Sequence, residues 1–185
     1  MKSDEEIWVQ IKENRENALS ELFLRYNDLL LNYGYAISQD RDLLKDCIQE
    51  LFIDLWKRKD KLGHVEKVKY YLFSAFRRLV LKRIKVDQKW RNLTNPHKAV
   101  ISESPEAIRI EAESEDLLKH HLKQKINQLP SRQREIIYLY YYSGLNHESI
   151  SEILGIKKQA SWNLLSRALQ KLKKLGLDQD IGKKA

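Results

Sequence analysis

The chain has 185 residues and a mass of 22.0 kDa, which suits one large domain or two small ones. Lysine plus arginine total 34 against 26 acids, a net charge of +8, and 42% hydrophobic residues leave enough apolar material for a core. Six glycines and three prolines are too few turn residues for a β-sandwich and exclude collagen-like and low-complexity classes; no apolar run approaches the roughly 18–20 residues of a membrane span, so no membrane insertion is expected.

Met1 to Gln10 carries acids and no apolar centre, so a signal peptide is not expected there. The first sixteen residues, with Ile7, Trp8 and Ile11 as their apolar grip, predict a short helix or a loose tail. Leu19, Leu22, Phe23, Tyr26, Leu29, Leu30 and Tyr33 then recur at three- and four-residue steps, a helix that Gly34 interrupts near its end. Ser38 to Asp42 has the side chains of a turn and a helix start. The next helix carries Leu44, Cys47, Ile48, Leu51, Phe52 and Leu55 on one stripe, and Gly63 ends it. Cys47 is the single cysteine and lies on that stripe, so it reads as a core residue, and a reducing, cytoplasmic setting is the default. A third helix is predicted from about Val65 to Lys85, with Val68, Leu72, Ala75, Phe76, Leu79 and Val80 inside.

From about Val86 to Ser114 the periodicity fades, and Asn95-Pro96 and Ser104-Pro105 bias the chain away from helix, so this stretch reads as a linker. Helical pattern returns at about Glu111 with Leu118, Leu122, Ile126 and Leu129. Pro130-Ser131 ends one helix and starts another, with Ser131 as the expected cap, running to Tyr142. Ser143-Gly144 turns the chain, a short helix spans Asn146 to Leu154, Gly155 turns it again, and a last helix from about Lys157 to Leu175 keeps Leu165, Ala168 and Leu172 inside. No segment alternates as a strand. The predicted fold is all-α, two small helical units and a tether.

Charge falls in blocks along this plan. Lys57 to Arg91 holds thirteen Lys/Arg and three acids, a net of +10; Lys157 to Lys174 holds six and none, a net of +6; Glu103 to Asp116 between them has six acids and one arginine, a net of −5. One basic stretch reads as a solvated helix face. Two, each following an amphipathic helix, point to two surfaces for a polyanion.

Three constellations carry a mechanism. A short helix, a glycine turn and a longer basic helix at 146–175 form a helix-turn-helix, in which the first helix braces the backbone while the second enters the major groove. Its solvent-facing positions would be Lys158, Gln159, Trp162, Asn163, Ser166, Arg167 and Gln170; a plain helical hairpin with a basic surface is the alternative. In the N-terminal unit, Tyr70, Tyr71, Phe73 and Phe76 lie among Lys67, Lys69, Arg77, Arg78, Lys82 and Arg83, and aromatics interleaved with cations can stack unpaired bases. Phe76 reads as core, and Phe73 is open between core and surface. Asp46 to Trp56 shows Asp46, Gln49, Glu50 and Asp54 on its polar face with Ile53 and Trp56 off the core stripe, which reads either as a protein-docking surface or as a broad stripe.

These motifs together resemble a family. Asp46-Cys-Ile-Gln-Glu-Leu-Phe-Ile-Asp-Leu-Trp56 is similar to the second conserved region of bacterial RNA polymerase sigma factors, and Tyr71-Leu-Phe-Ser-Ala-Phe-Arg-Arg-Leu79 to the promoter-melting segment that follows. Leu129 to Glu135, Ser143 to Gly155 and Ser166 to Leu172 are similar to the fourth region. With these two regions alone the chain looks like the extracytoplasmic-function (ECF) group of the sigma-70 family, divided as a tail or short helix over 1–16, region 2 over 17–92, a linker over 93–111, region 4 over 112–176 and a tail over 177–185.

The resemblance implies roles. Asp46, Gln49, Glu50, Phe52, Ile53 and Trp56 would lie on or beside the surface that docks the clamp coiled coil of core RNA polymerase. Leu62, Gly63, His64, Lys67, Lys69, Tyr70, Tyr71, Arg77, Arg78, Lys82 and Arg83 would meet the −10 element, and Lys157, Lys158, Gln159, Trp162, Asn163, Ser166 and Arg167 the −35 element. The linker would thread toward the polymerase active site and RNA exit, its acidic part imitating nucleic acid. The polymerase flap, an anti-sigma factor or a recruiting DNA-bound protein would be further partners. The chain departs from the family pattern with Arg78 for asparagine, Tyr71 for tryptophan, Lys157 for Ser or Thr, and Trp162 and Leu164 for basic residues, which implies thin −35 base reading.

An enzyme is the rival class, but no phosphate loop, metal-spaced His/Cys set or nucleophile elbow is present, so no cofactor, metal or catalytic residue is expected. His120-His121 are adjacent and diverge on a helix, and His147-Glu148 lacks a second histidine. A stand-alone helix-turn-helix regulator is the alternative within DNA binding; it would bind duplex DNA without polymerase.

Overall fold

The computed structural model describes residues 2–63, 65, 67–94 and 114–177. The chain divides into two compact units, 1–96 and 97–185. The described residues form eight α-helices and no strand, in keeping with the all-α expectation.

The N-terminal unit has four helices: α1 (Asp4–Lys12), α2 (Glu16–Gly34), α3 (Arg41–Lys57) and α4 (Val68–Thr94). The first sixteen residues are no loose tail. Ser3 caps α1 by accepting from the Glu6 N–H at 3.1 Å while the Glu6 carboxylate accepts from the Ser3 N–H at 2.8 Å, a reciprocal capping box. Ile7, Trp8 and Ile11 are buried, and α1 packs on α2 and α4. Asp4 fastens the helix from outside: it accepts from Arg25 Nη1 at 2.5 Å and from the Tyr26 hydroxyl. Burial and that acceptor together push the Tyr26 phenol well above its ordinary pKa.

The predicted stripe of α3 is the buried one, with Leu44, Cys47, Ile48, Leu51, Phe52 and Leu55 all at most 4% exposed. Asp40 caps α3 by accepting from the Leu43 N–H at 3.0 Å. Burial raises the Cys47 thiol to a pKa of about 11, as fits a core cysteine. Phe73 is core as well as Phe76; both rings tilt against Tyr33, at 5.4 and 6.3 Å between centroids.

Helix α4 departs from expectation at its far end. It runs to Thr94, so residues 86–94 of the predicted linker are helical. The apolar stripe does stop there, but Lys, Gln and Arg are good helix formers and need no packing partner to continue a helix already nucleated. The remainder of the linker and the tail from 178 onward, with most of the acidic block, lie outside the described residues.

The C-terminal unit contains α5 (Ser114–Asn127), α6 (Ser131–Ile137), α7 (His147–Leu154) and α8 (Lys158–Leu172). The expected cap at Ser131 is corrected: Pro130, extended at φ −54° and ψ 146°, is the cap, its carbonyl accepts from the Gln133 and Arg134 N–H groups, and Ser131 is the first helical residue. After Ile137 the helix widens into a π-helical turn, Tyr138–Tyr142, closed by the Ser143 N–H donating to the Tyr138 carbonyl at 2.9 Å. Among the described residues, no helix is long and apolar enough to cross a membrane.

Where α2, α3 and α4 converge, Gly34 is buried, and a Cβ there would lie 2.8 Å from Leu44 Cδ2 and 3.1 Å from Phe76 Cζ. In an open helix, Gly→Ala stabilises by about 1 kcal/mol. Here the overpacking cost of about 1–3 kcal/mol wins, because both neighbours are fully buried. Gly34→Ala is therefore expected to lower unfolding stability by about 1 kcal/mol in urea, and a gain would overturn the packing argument.

Candidate nucleic-acid and partner interfaces

On α3, burying one stripe sends other residues outward. Ile53 is 51% exposed, a large aliphatic side chain in water. Asp46 and Gln49 are exposed beside it, and Trp56 is half-buried with Lys59 Nζ 4.6 Å from its ring centroid. Two residues implied for this surface sit differently. Phe52 is a core residue whose ring meets Phe23 edge-on at 5.2 Å, because position 52 falls on the buried stripe. Glu50 is half-buried and accepts from Arg83 Nη2 at 2.6 Å, tying α3 to α4. Arg83, itself exposed, thus reaches back to α3, and Arg78 and Lys82 stand exposed on α4.

The region implied to meet the −10 element is braced by α1. Trp8 donates its indole N–H to the Gly63 carbonyl at 3.2 Å and meets the Tyr71 ring edge-on at 5.0 Å. One buried side chain therefore fixes both the 62–63 loop and the start of α4. Sequence reasoning missed this role; the signal was a tryptophan among acids in an otherwise polar segment. Leu62, Tyr70, Tyr71, Arg77 and Lys69 are half-buried, and Lys67 and Gly63 are exposed. His64 lies outside the described residues.

The helix-turn-helix is built by one side-chain cap and a left-handed glycine. Asn146 caps α7 by accepting from the Ser149 N–H at 2.9 Å. Gly155 ends α7 at φ 65° and ψ 42°, a region that only glycine enters without strain, and the Ile156 N–H donates back to the Ser151 carbonyl at 2.9 Å. Helix α8 then starts at Lys158 and buries Ser161, Leu165, Ala168 and Leu172. Lys157, Lys158, Gln159, Trp162, Asn163, Ser166 and Arg167 are all exposed, so the implied −35 residues share the outer face of one helix. Gln159 Nε2 approaches Asn163 Oδ1 at 3.4 Å along that face.

Beneath Trp162 lies His147, the first residue of α7. The two rings stack with centroids 3.8 Å apart and planes 22° apart, and Tyr140 lies 5.0 Å from the imidazole. His147 Nδ1 is 2.9 Å from the Ser161 hydroxyl, and its buried Nε2 has no hydrogen-bond partner. Burial, then the positive charge of Lys158, lower the His147 pKa below the usual 6.5.

Comparison with known proteins agrees with this geometry. The Sigma-70 region 2 family model matches residues 22–91 and the Sigma-70 region 4 model matches residues 120–172. The ECF RNA polymerase sigma factor SigM of Bacillus subtilis (strain 168) is 26% identical over 157 residues, covering 85% of this chain and 94% of SigM. Among solved structures, CnrH in complex with the cytosolic domain of CnrY superposes with a TM-score of 0.64 at 19% identity, covering 97% of this chain and 99% of CnrH. RpoE in complex with the anti-sigma factor NepR from Bartonella quintana gives 0.67 at 24% identity, covering 84% and 94%. Both structures share the fold.

Lys157 occupies the cap position of α8 and makes no side-chain cap bond. Lys157→Ser is expected to add that bond and stabilise α8 by about 1 kcal/mol, raising amide protection in its first turn about fivefold in hydrogen exchange; unchanged protection would mean that the turn has already satisfied those donors. Matched in order by region 2 and region 4, with a helix-turn-helix in the second, the chain belongs to the sigma-70 family as a member of its ECF group, whose work is transcription initiation.

Proposed function

We propose that the chain is a non-catalytic specificity subunit that binds core RNA polymerase, directs it to promoters through −10 and −35 contacts, and helps open the DNA. The observation that carries this reading is the outer face of α3, where Ile53 stands exposed among acids opposite a fully buried stripe. Ile53 and the half-buried Trp56 three residues on share that face beside acids, inside the segment that the region 2 model matches, and this supports a protein-docking surface. The clamp coiled coil of the polymerase is its proposed occupant, and the flap is the proposed second contact, with region 4. Arg78, Lys82 and the 62–63 loop would hold the −10 strand, and the outer face of α8 the −35 duplex. Work on core polymerase places the protein in the cytoplasm. An inhibitory anti-sigma protein or a recruiting DNA-bound protein is a further partner in this reading. A stand-alone regulator would instead retard duplex DNA by itself.

Ile53→Asp tests the docking face. A charge placed in a desolvated apolar contact is expected to cost about 2–4 kcal/mol, or roughly thirtyfold or more in affinity. Size exclusion with core enzyme should show loss of co-elution while helicity is retained. Co-elution at wild-type affinity sinks the assignment.

Lys82 and Arg83 separate on salt dependence. Lys82 is exposed, whereas Arg83 already holds the Glu50 carboxylate. Neutralising Lys82 is expected to lower the slope of log affinity against log salt by roughly 0.7–0.9, and neutralising Arg83 by clearly less. Equal effects would mean that the Arg83–Glu50 pair opens on DNA.

A further inference from the structure

The stack beneath Trp162 is built from three elements: His147 at the start of α7, Ser161 and Trp162 on α8, and Tyr140 in the π-helical turn. Ser161 is fully buried and its hydroxyl can donate or accept, so it satisfies Nδ1 of a neutral imidazole in either tautomer. An imidazolium needs two acceptors, and Nε2 is buried without one. The groups facing the ring do not help. Lys158 on α8 adds a like charge, Tyr140 offers no carboxylate, and Glu148, next to His147 on α7, is exposed. The Trp162 face does attract a cation, by about 0.5–1 kcal/mol for a half-exposed ring. A buried charged donor left unpaired costs about 1–3 kcal/mol or more, so the neutral form wins.

We propose that His147 is a positioning residue for DNA reading: its neutral imidazole holds the first turns of α8, through Ser161 and Trp162, in the orientation that presents Asn163, Ser166 and Arg167, and its protonation releases that hold. The inference rests on the reading of α8 as the −35 helix.

The sign of the pH dependence follows. A histidine whose pKa is lowered in the folded state stabilises the ordered arrangement fully above the unfolded value near 6.5, and that contribution is lost as pH falls through the folded value. If only the neutral form is competent, acidification to about pH 5.5 weakens duplex binding by no more than about tenfold, the limit set by the ordinary value of 6.5, and the weakening deepens as pH falls further.

The experiment has two arms. In the full chain, the imidazole of His147 and the indole N–H of Trp162 are followed by NMR from about pH 8 to about pH 5. The expected result is an imidazole midpoint below 6.5, with the Trp162 signal moving at the same midpoint and staying flat in His147→Gln, which keeps a polar contact to Ser161 but cannot ionise. An ordinary midpoint with Trp162 unmoved overturns the proposal. In the second arm, reconstituted holoenzyme is bound to a duplex pool selected by the wild type at about pH 7.5, and the loss on acidification is compared between variants. His147→Gln should remove the acid-dependent component, and Ser161→Ala should reproduce the acid-weakened state already at neutral pH. His147→Gln following the wild-type profile overturns the proposal even if the variant is less stable, because a merely structural role predicts weakening at every pH. Arg167→Ala distinguishes the underlying reading: if it leaves duplex binding unchanged at neutral pH, α8 is not the reading helix, and the fault lies there.

Discussion

Burial of a single stripe on α3 decides what the N-terminal unit can offer a partner. Leu44, Cys47, Ile48, Leu51, Phe52 and Leu55 go inward against α2 and α4, and at about 100° per residue the positions between them have nowhere else to go. Ile53 is forced into water by the same register that buries Phe52. The register is held firmly, because Gly34 lets Leu44 and Phe76 approach to within contact of the α2 backbone. Rotating α3 by one residue would take Leu44 out of the space beside Gly34 and bring a neighbouring side chain toward α2, so the exposed face and the core are two consequences of one packing solution.

The same logic shows why much of the fold was legible in the sequence and part of the site was not. Six of six stripe positions on α3 and the three on α8 could be read, because 3.6-residue periodicity is a local signal. Gly155 as a turn was legible because glycine enters the left-handed region without strain, whereas Asn146, read as the first helical residue, is the cap. Long-range pairs were not. Nothing local says that Arg83 reaches Glu50 across 33 residues, or that Trp8 reaches Gly63 across 55. From sequence, Arg83 reads as a phosphate contact without its Glu50 partner, and Trp8 only as the grip of a short helix or a loose tail. Phe52, read both on the core stripe and on or beside the docking surface, lies in the core, because a motif marks a surface-forming segment without saying on which side of the helix each residue lies. The end of α4 escaped because periodicity marks packing, and a helix can outrun its packing.

Helix α1 joins stability to function in the N-terminal unit. Its acidic first turn is held by Arg25 and Tyr26 on α2, and its tryptophan holds the loop and the ring that face the implied −10 strand. A loop at this place needs such bracing. An indole N–H donated to the Gly63 carbonyl fixes that point of the backbone before any partner arrives. Order that exists beforehand need not be purchased at binding.

In the C-terminal unit the balance shifts from charge to shape. The family pattern places a basic residue where this chain has Trp162, and a lysine there would be a mobile cation able to find a phosphate. Trp162 has two side-chain torsions and lies stacked on His147, so little freedom remains for it to lose against DNA. Lys157 and Lys158 are exposed at one end of the helix, Arg167 further along, and the amides of Gln159 and Asn163 between them. Those two amides already lie 3.4 Å apart, which orients each by the other and restricts the patterns they can offer jointly. A face with one rigid aromatic plate, one pre-oriented amide pair and few cations depends on the angle at which it enters the groove more than on its total charge. In the proposed reading that angle is held by α7 and by the His147 to Ser161 contact, 2.9 Å between the two helices.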